Sequence, residues 1–284
     1  MIIVLENQDF LTAMDDPYLA WLATRGTLFT NFRGLFHNSY PNYLAMVGGR
    51  AFAVNPWISD AQIDLPANQQ PPVLTIADRL VDAKNYAEDY PTGPDAHTVT
   101  ERGWYARRHV PFASFASTQD RSHIVSVGAD VFDPRHQFLI DADDPEHFPR
   151  YSFYSPNTRN DGHDCGLEVA SDWLYKFLTR FATTSAAEST LVVVTFDESA
   201  DREETNRIYT VFLGPMLDPG VKVSSQALNH YNVLRTIEDN FGVAPLADGD
   251  GGARGIEGIW KLRAILPTTK ALTRPEDSTA ATER

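Results

Sequence analysis

The sequence predicts an α/β protein with a mostly parallel central sheet, and three observations predict it. Apolar runs without polar alternation occur at "MIIVL" (residues 1–5), "LVVVTF" (191–196) and "IYTVFLG" (208–214). Runs of this kind mark strands buried on both faces. Amphipathic helical patterns lie between and after them, and such alternation belongs to a sheet covered by helices. The composition, 43% hydrophobic and 22% charged over 284 residues, is that of a folded chain with a large core.

Taken in order, "MIIVL" is the first strand and ends in Glu6-Asn7. "HNSYPNYLAMVGG" (37–49) follows as a short helix opened near Ser39. Pro41 falls in its first turn, where the missing N–H costs no helical hydrogen bond, and Gly48 and Gly49 stop it. From about 55 to 160 prolines, aspartates and aromatics are dense, which predicts a loop-rich cap over one edge of the sheet. Within it only 73–86 reads as a helix and 123–127 as a strand. "LEVASDWLYKFLTRFA" (167–182) places Leu167, Trp173, Leu174, Phe177, Leu178 and Phe181 largely on one face. The strand at 191–196 ends in Asp197-Glu198, and the strand at 208–214 follows. "YNVLRTIEDNFG" (231–242) is a helix with Val233, Leu234, Ile237 and Phe241 inward and Gly242 as its C-cap. Residues 1–265 are expected to form a single domain, and 266–284 a frayed tail.

The formal net charge of −14 argues against nucleic acid as a partner, because no basic block exists to track phosphates. It also weighs against stable association with anionic membranes, and no run approaches the roughly 20 apolar residues that span a bilayer. Cys165 is the only cysteine, which excludes an intrachain disulfide and a Cys-rich zinc site. The chain starts almost at once with a strand, so any signal peptide is expected to have been removed or never to have existed. Nothing in the pattern sets an oligomeric state.

Chemistry gathers at the strand ends. Ligands of open parallel sheets bind beyond the carboxyl ends of the strands. If the first strand and the 191–196 strand are neighbours, Glu6, Asn7, Asp197 and Glu198 meet there. Like charges so close call for a cation, and an all-oxygen set suits Mg²⁺, Ca²⁺ or Mn²⁺, with Zn²⁺ held through carboxylates. Ser39, flanked by His37 and Asn42, then has two readings. It is a plain N-cap, or it is a nucleophile whose alkoxide a nearby cation stabilises, at a helix start that attracts phosphate-like anions. Asn42 shares its helix face and is expected to donate to a phosphoryl oxygen. "NDGHDCG" (160–166) offers Asp161, His163 and Asp164 within a turn, and "RRHVPF" places His109 among arginines. Both histidines are candidate proton donors. His230 is most simply a helix-start residue.

These fragments together resemble the phosphoesterase family that holds acid phosphatases and bacterial phospholipases C, within the alkaline phosphatase-like superfamily. The resemblance runs from Met1 to about Gly242 and takes in "VLENQDF", "NSYPNYLAMVGG", "RRHVPF", "NDGHD", "VTFDES" and "HYNVLRTIED" in the family's order. It implies a three-layer α/β/α sandwich and one divalent metal ion held by Glu6, Asn7, Asp197, Glu198 and Ser39. It implies Ser39 as nucleophile, with Asn42, His109 and His163 around the phosphoryl group, and a secreted or periplasmic protein. Asn38 stands where the family often has proline, and the insertions and C-terminal domains of the phospholipases are absent, which points to the acid phosphatase branch.

The expected reaction is hydrolysis of a small phosphate ester through a phosphoserine, with His109 or His163 as the acid and Asp164 and His37 beside the substrate. The alternative is a phospholipase C-type phosphodiesterase, for which aromatics near Trp57, Trp104 and Phe148 would form an apolar rim. A metal-stabilised binding module without catalysis is the rival from another class. The single clean ligand set speaks against a two-zinc centre.

Overall fold

The computed structural model describes residues 1–52, 64–66, 68, 72–120, 122–144, 146–200 and 205–261. In chain order its strands are β1 (Ile2–Leu5), β2 (Thr27–Phe29), β3 (Phe32–Arg33), β4 (Ala83–Glu88), β5 (Glu101–Arg102), β6 (Tyr105–Ala106), β7 (Ile124–Val127), β8 (Tyr151–Ser155), β9 (Val192–Phe196), β10 (Thr210–Leu213), β11 (Val223–Ser224) and β12 (Leu228–Asn229). The α-helices are α1 (Phe10–Asp15), α2 (Pro17–Ala23), α3 (Ser39–Gly48), α4 (Gln137–Asp143), α5 (Leu167–Phe181), α6 (His230–Phe241) and α7 (Asp248–Gly251).

Eight strands form one sheet in the order β11-β2-β10-β9-β1-β8-β4-β7. β1 lies parallel between β8 and β9, and β4 parallel between β7 and β8. Only β10 is reversed, antiparallel to β9 and β2, so the sheet is mostly parallel as predicted. Every residue of β1, β8 and β9 is buried. Strands buried on both sides need a layer on each face. α3 packs against α6, which packs against α7, while α5 packs against α2 and α4. The result is the α/β sandwich that the alternation of strands and helices requires. Each of the β1 side chains, at most 3% exposed, stabilises the fold by about 1.5–3 kcal/mol relative to exposure.

Local signals end the helices where the sequence predicts. Gly49 (φ 69°) and Gly242 (φ 67°) take the left-handed conformation as C-caps of α3 and α6. A Cβ on Gly49 would stand 2.5 Å from the Asp250 carboxyl carbon, so its lack of a side chain is also a packing requirement.

The stretch expected to be a loop-rich cap differs. It contributes β4, β7 and β8 to the central sheet. The helix expected over 73–86 is only a 3₁₀ turn at Ile76–Asp78, followed by β4. Its helical spacing of apolar residues is real, and Thr75 and Asp78 form a capping box at its start, but the turn stops at Arg79. Residues 83–88 then gain two ladders of hydrogen bonds between β7 and β8. β8, "YSFYS", was hidden by its serines. Ser155 is buried yet satisfied, donating to the His109 carbonyl at 2.7 Å. The expected tail at 266–284 and Trp57 lie outside the described residues.

Candidate active site

The register of β1 and β9 pairs Leu5 with Phe196, so the residues that follow, Glu6 and Asp197, emerge side by side. The Asp197 N–H donates to the Leu5 carbonyl at 3.0 Å. Asn7 adopts φ 53°, and this left-handed turn directs its backbone N–H to Asp197 Oδ1 at 3.1 Å. On the other side of β1 the chain leaving β8 folds back, and the Glu6 N–H donates to the Asp161 carbonyl at 2.9 Å. Three buried carboxylates thus meet at the carboxyl edge of the sheet.

Ser39 is the first residue of α3, and Asn38 precedes it in extended conformation without a side-chain cap. The Ser39 hydroxyl turns to the carboxylates instead, donating to Glu6 Oε2 at 2.8 Å and lying 3.4 Å from Glu198 Oε1. His37 Nδ1 lies 3.5 Å from Glu198 Oε2. His109 is buried between two acids, with Nε2 3.2 Å from Glu6 Oε1 and Nδ1 2.9 Å from Asp161 Oδ2. Its ring stacks on Tyr43 at 5.1 Å. His163 lies beyond it, with Nδ1 2.7 Å from Asp164 Oδ1 and Nε2 3.4 Å from Arg108 Nη2. A cavity of about 490 Å³ opens over Asn7, Ser39, Arg108, His163, Asp164 and Glu198.

Burial sets the electrostatics. Loss of solvent, then the neighbouring Asp197 and Asp161 charges, push Glu6 well above the usual carboxylate range. Burial likewise pushes Asp161 up to about 8 and Asp197 up to about 6, the latter against the pull of the Asn7 N–H. Asp197 Oδ2 is buried with no hydrogen-bond partner among the described residues. An orphaned oxygen amid converging carboxylates fits a hard divalent cation. Glu6, His109 and Asp161 also offer ligand atoms within 4.8 Å of one another, and such a buried cluster can hold a metal ion. Two groupings therefore share Glu6, where the sequence suggested a single set.

The Phosphoesterase family model matches residues 7–244. The chain belongs to the Phosphoesterase family. This chain is 33% identical over 269 residues to a probable acid phosphatase of Kluyveromyces lactis, covering 90% of this chain and 61% of that protein. It is 30% identical over 263 residues to a phosphatidylinositol-3-phosphatase of Mycobacterium tuberculosis, covering 92% and 82%. It spans about three-fifths of the length of the fungal acid phosphatases it matches. Its fold resembles that of a protein in the alkaline phosphatase superfamily from Vibrio parahaemolyticus, with a TM-score of 0.57 at 14% identity over 86% of this chain and 67% of that one.

Within this member of the family the sequence-predicted residues take different places. Glu6, Asn7, Ser39, Asp197 and Glu198 converge, and His109, His163 and Asp164 adjoin them. Asn42 differs from expectation. Its Oδ1 accepts from Leu35 N–H (3.0 Å) and Phe36 N–H (3.1 Å), and its Nδ2 donates to the carbonyls of Phe36 (2.8 Å) and Asn38 (3.0 Å). That exhausts an amide's capacity, so Asn42 holds the segment before Ser39 and has no bond left for a phosphoryl oxygen. His230 donates from Nε2 to the Asp197 carbonyl at 2.8 Å, and burial lowers it to about 4, so it is a neutral strut at the start of α6. Phe148 is partly buried and packs against the core on Phe138 (5.7 Å) and Phe181 (6.2 Å), away from the residues that line the cavity.

Three residues escaped the sequence reading as parts of the site. Asp161 was visible in "NDGHD" but without a role, and Arg108 was visible only as a neighbour of His109. Glu88, at the end of β4, carried no signal. Its Oε1 accepts from the Tyr154 hydroxyl (3.1 Å) and Trp173 Nε1 (3.0 Å), and its Oε2 from Asn157 N–H (3.1 Å) and Asn160 Nδ2 (2.7 Å). It thereby anchors the turn that presents Asp161.

Proposed function

We propose that this protein is a metal-dependent phosphoesterase of the acid phosphatase type, hydrolysing small phosphate monoesters through a phosphoserine at Ser39. The observation that carries the reading is the Ser39 hydroxyl, 2.8 Å from Glu6 and 3.4 Å from Glu198 at a helix start that no side chain caps. A serine kept only as a cap would turn its oxygen to the backbone N–H groups.

Glu6, Asn7, Ser39, Asp197 and Glu198 are the ligands proposed for one divalent ion, Mg²⁺, Ca²⁺, Mn²⁺ or Zn²⁺. A cation held there supplies acidification of the hydroxyl and charge opposite the phosphate. Ser39 Oγ attacks phosphorus in line with the leaving oxygen, and its proton departs along the hydrogen bonds to the flanking carboxylates. The N–H groups of the first turn of α3 receive non-bridging oxygens. Both nitrogens of His109 are engaged by Glu6 and Asp161, which suits it to positioning Glu6. His163 is the better acid. Asp164 holds its Nδ1, and Nε2 faces the Arg108 side of the cavity. It protonates the leaving alkoxide, then takes a proton from the water that cleaves the phosphoserine. His37 lies near enough to Glu198 to orient that carboxylate.

Trp104, 44% exposed on the turn between β5 and β6, keeps a diesterase reading in view, because Gly103 and Tyr105 beside it line the cavity. Turnover of p-nitrophenyl phosphate against its phosphorylcholine diester separates the two. Ser39→Ala is expected to reduce monoester turnover to below about a thousandth of wild type, as for a lost covalent nucleophile. Turnover above that level, or failure to trap phosphate on Ser39, contradicts the proposal.

A further inference from the structure

Resting on the monoesterase reading above, we infer that Arg108 is the binding residue that separates phosphate monoesters from diesters at this site. The short turn Arg107–His109 sends three consecutive side chains in three directions. Arg107 is buried and donates to the Tyr40 hydroxyl at 3.1 Å and the Ala113 carbonyl at 2.6 Å, which ties it to the scaffold. His109 turns to Glu6 and Asp161. Arg108 alone of the three lines the cavity.

Its position there is set from two sides. Nη1 donates to Glu101 Oε1 at 2.8 Å, on the β5–β6 hairpin, and Nη2 lies 3.4 Å from His163 Nε2. The side chain is only 10% exposed, so the guanidinium is held and not swept through solvent. Among the described residues that line the cavity, it is the only one with a permanent positive charge, while Glu101, Asp164 and Glu198 are acidic. An anion entering past those carboxylates meets its complement on this wall at Arg108.

Nη2 stands beside His163 Nε2 on this wall, and a guanidinium can only donate. A phosphoryl oxygen seated at Nη2 accepts from it. A monoester dianion brings three non-bridging oxygens, and a planar fork of donors matches two oxygens at once. A diester has one such oxygen fewer, one charge fewer, and an uncharged alkoxy group in its place. Arg108 therefore strengthens monoester binding more than diester binding.

The test measures kcat/KM for p-nitrophenyl phosphate and bis(p-nitrophenyl) phosphate on the full chain of wild type, Arg108→Gln and Arg108→Lys. Arg108→Gln is expected to lower the monoester value roughly ten- to a hundredfold more than the diester value, the range of one charge-assisted hydrogen bond. Inhibition by inorganic phosphate is expected to weaken in step. Arg108→Lys keeps the charge without the fork and is expected to fall between, and it carries the test alone if the glutamine variant does not fold. Equal losses on the two esters, or an unchanged ratio, overturn the inference while leaving the monoesterase reading in place. A wild type that cleaves neither ester, or the diester faster, overturns the monoesterase reading and this inference with it.

Discussion

Glu6 and Asp197 stand at the ends of adjacent parallel strands, one step beyond the paired Leu5 and Phe196, and both are fully buried. Two carboxylates at that separation from solvent repel each other unless a cation lies between them. Chelation of divalent ions is expected to lower the melting temperature by on the order of 3–10 °C, and a hard divalent cation to restore it. Asp197→Asn removes one of the charges, so its chelated form is expected to melt above chelated wild type although its activity is lost. Thermal melts with and without chelator decide this. A wild-type melting temperature indifferent to both additions would sink the cation site.

Asn42 spends all four of its hydrogen bonds on the backbone of residues 35–38. Asn42→Ala leaves buried N–H groups of Leu35 and Phe36 without an acceptor and is expected to cost about 1–3 kcal/mol of stability. Urea unfolding checks it. An unchanged midpoint with impaired phosphate binding would return Asn42 to direct substrate contact.

Glu88 gathers four donors, two of them from Asn157 and Asn160 in the turn before Asp161. Glu88→Ala strands those donors and is expected to destabilise the fold by about 2–4 kcal/mol, with Glu88→Gln intermediate because an amide oxygen can still accept. Activity of the glutamine variant is expected to fall with the order of the turn. Hydrogen exchange at residues 157–161 reads that order directly, and unchanged protection there contradicts the anchoring role.

Glu238 lies buried beside Asp250, whose carboxylate accepts from the N–H groups of Leu246 (2.6 Å), Ala247 (2.8 Å) and Gly251 (2.9 Å). Burial, then the proximity of Asp250, push Glu238 up to about 9. The unfolded chain releases that proton near pH 4, whereas the folded protein keeps it, so stability falls as pH rises between those limits. Glu238→Gln holds a neutral donor at every pH. Its stability relative to wild type is expected to climb by up to about 1 kcal/mol per pH unit from pH 5 to 9. Parallel stability curves for the two proteins would contradict a shared proton.

Legibility followed the range of each interaction. β1, β9 and β10 were readable because a strand buried on both faces must be apolar throughout, and α5 and α6 because one face must be. β8 was not, since Ser152 and Ser155 break its apolar run, and Ser155 is satisfied only by distant partners, the His109 carbonyl and the Asn85 amide. β4 was misread because Ile76, Ala77 and Leu80 keep a helical spacing and Thr75 caps its start, and only pairing with β7 and β8 draws residues 83–88 into the sheet. In the site, Glu6, Ser39 and Asp197 were visible from their places at strand ends and a helix start. The engagement of Asn42 by its own preceding loop was not, because an amide looks the same in sequence whether it faces a ligand or a backbone.

By itself the sequence determined the α/β class, the polar ends of its buried strands and the serine that opens α3, since these follow from local patterns of apolar and polar residues. The tertiary structure alone decided that Ser39 meets Glu6 across 33 residues, that His109 is locked between two acids, and that Arg108 and not Arg107 faces the cavity. Strand register and turn direction govern which side chains meet, and both are set by packing over the whole chain.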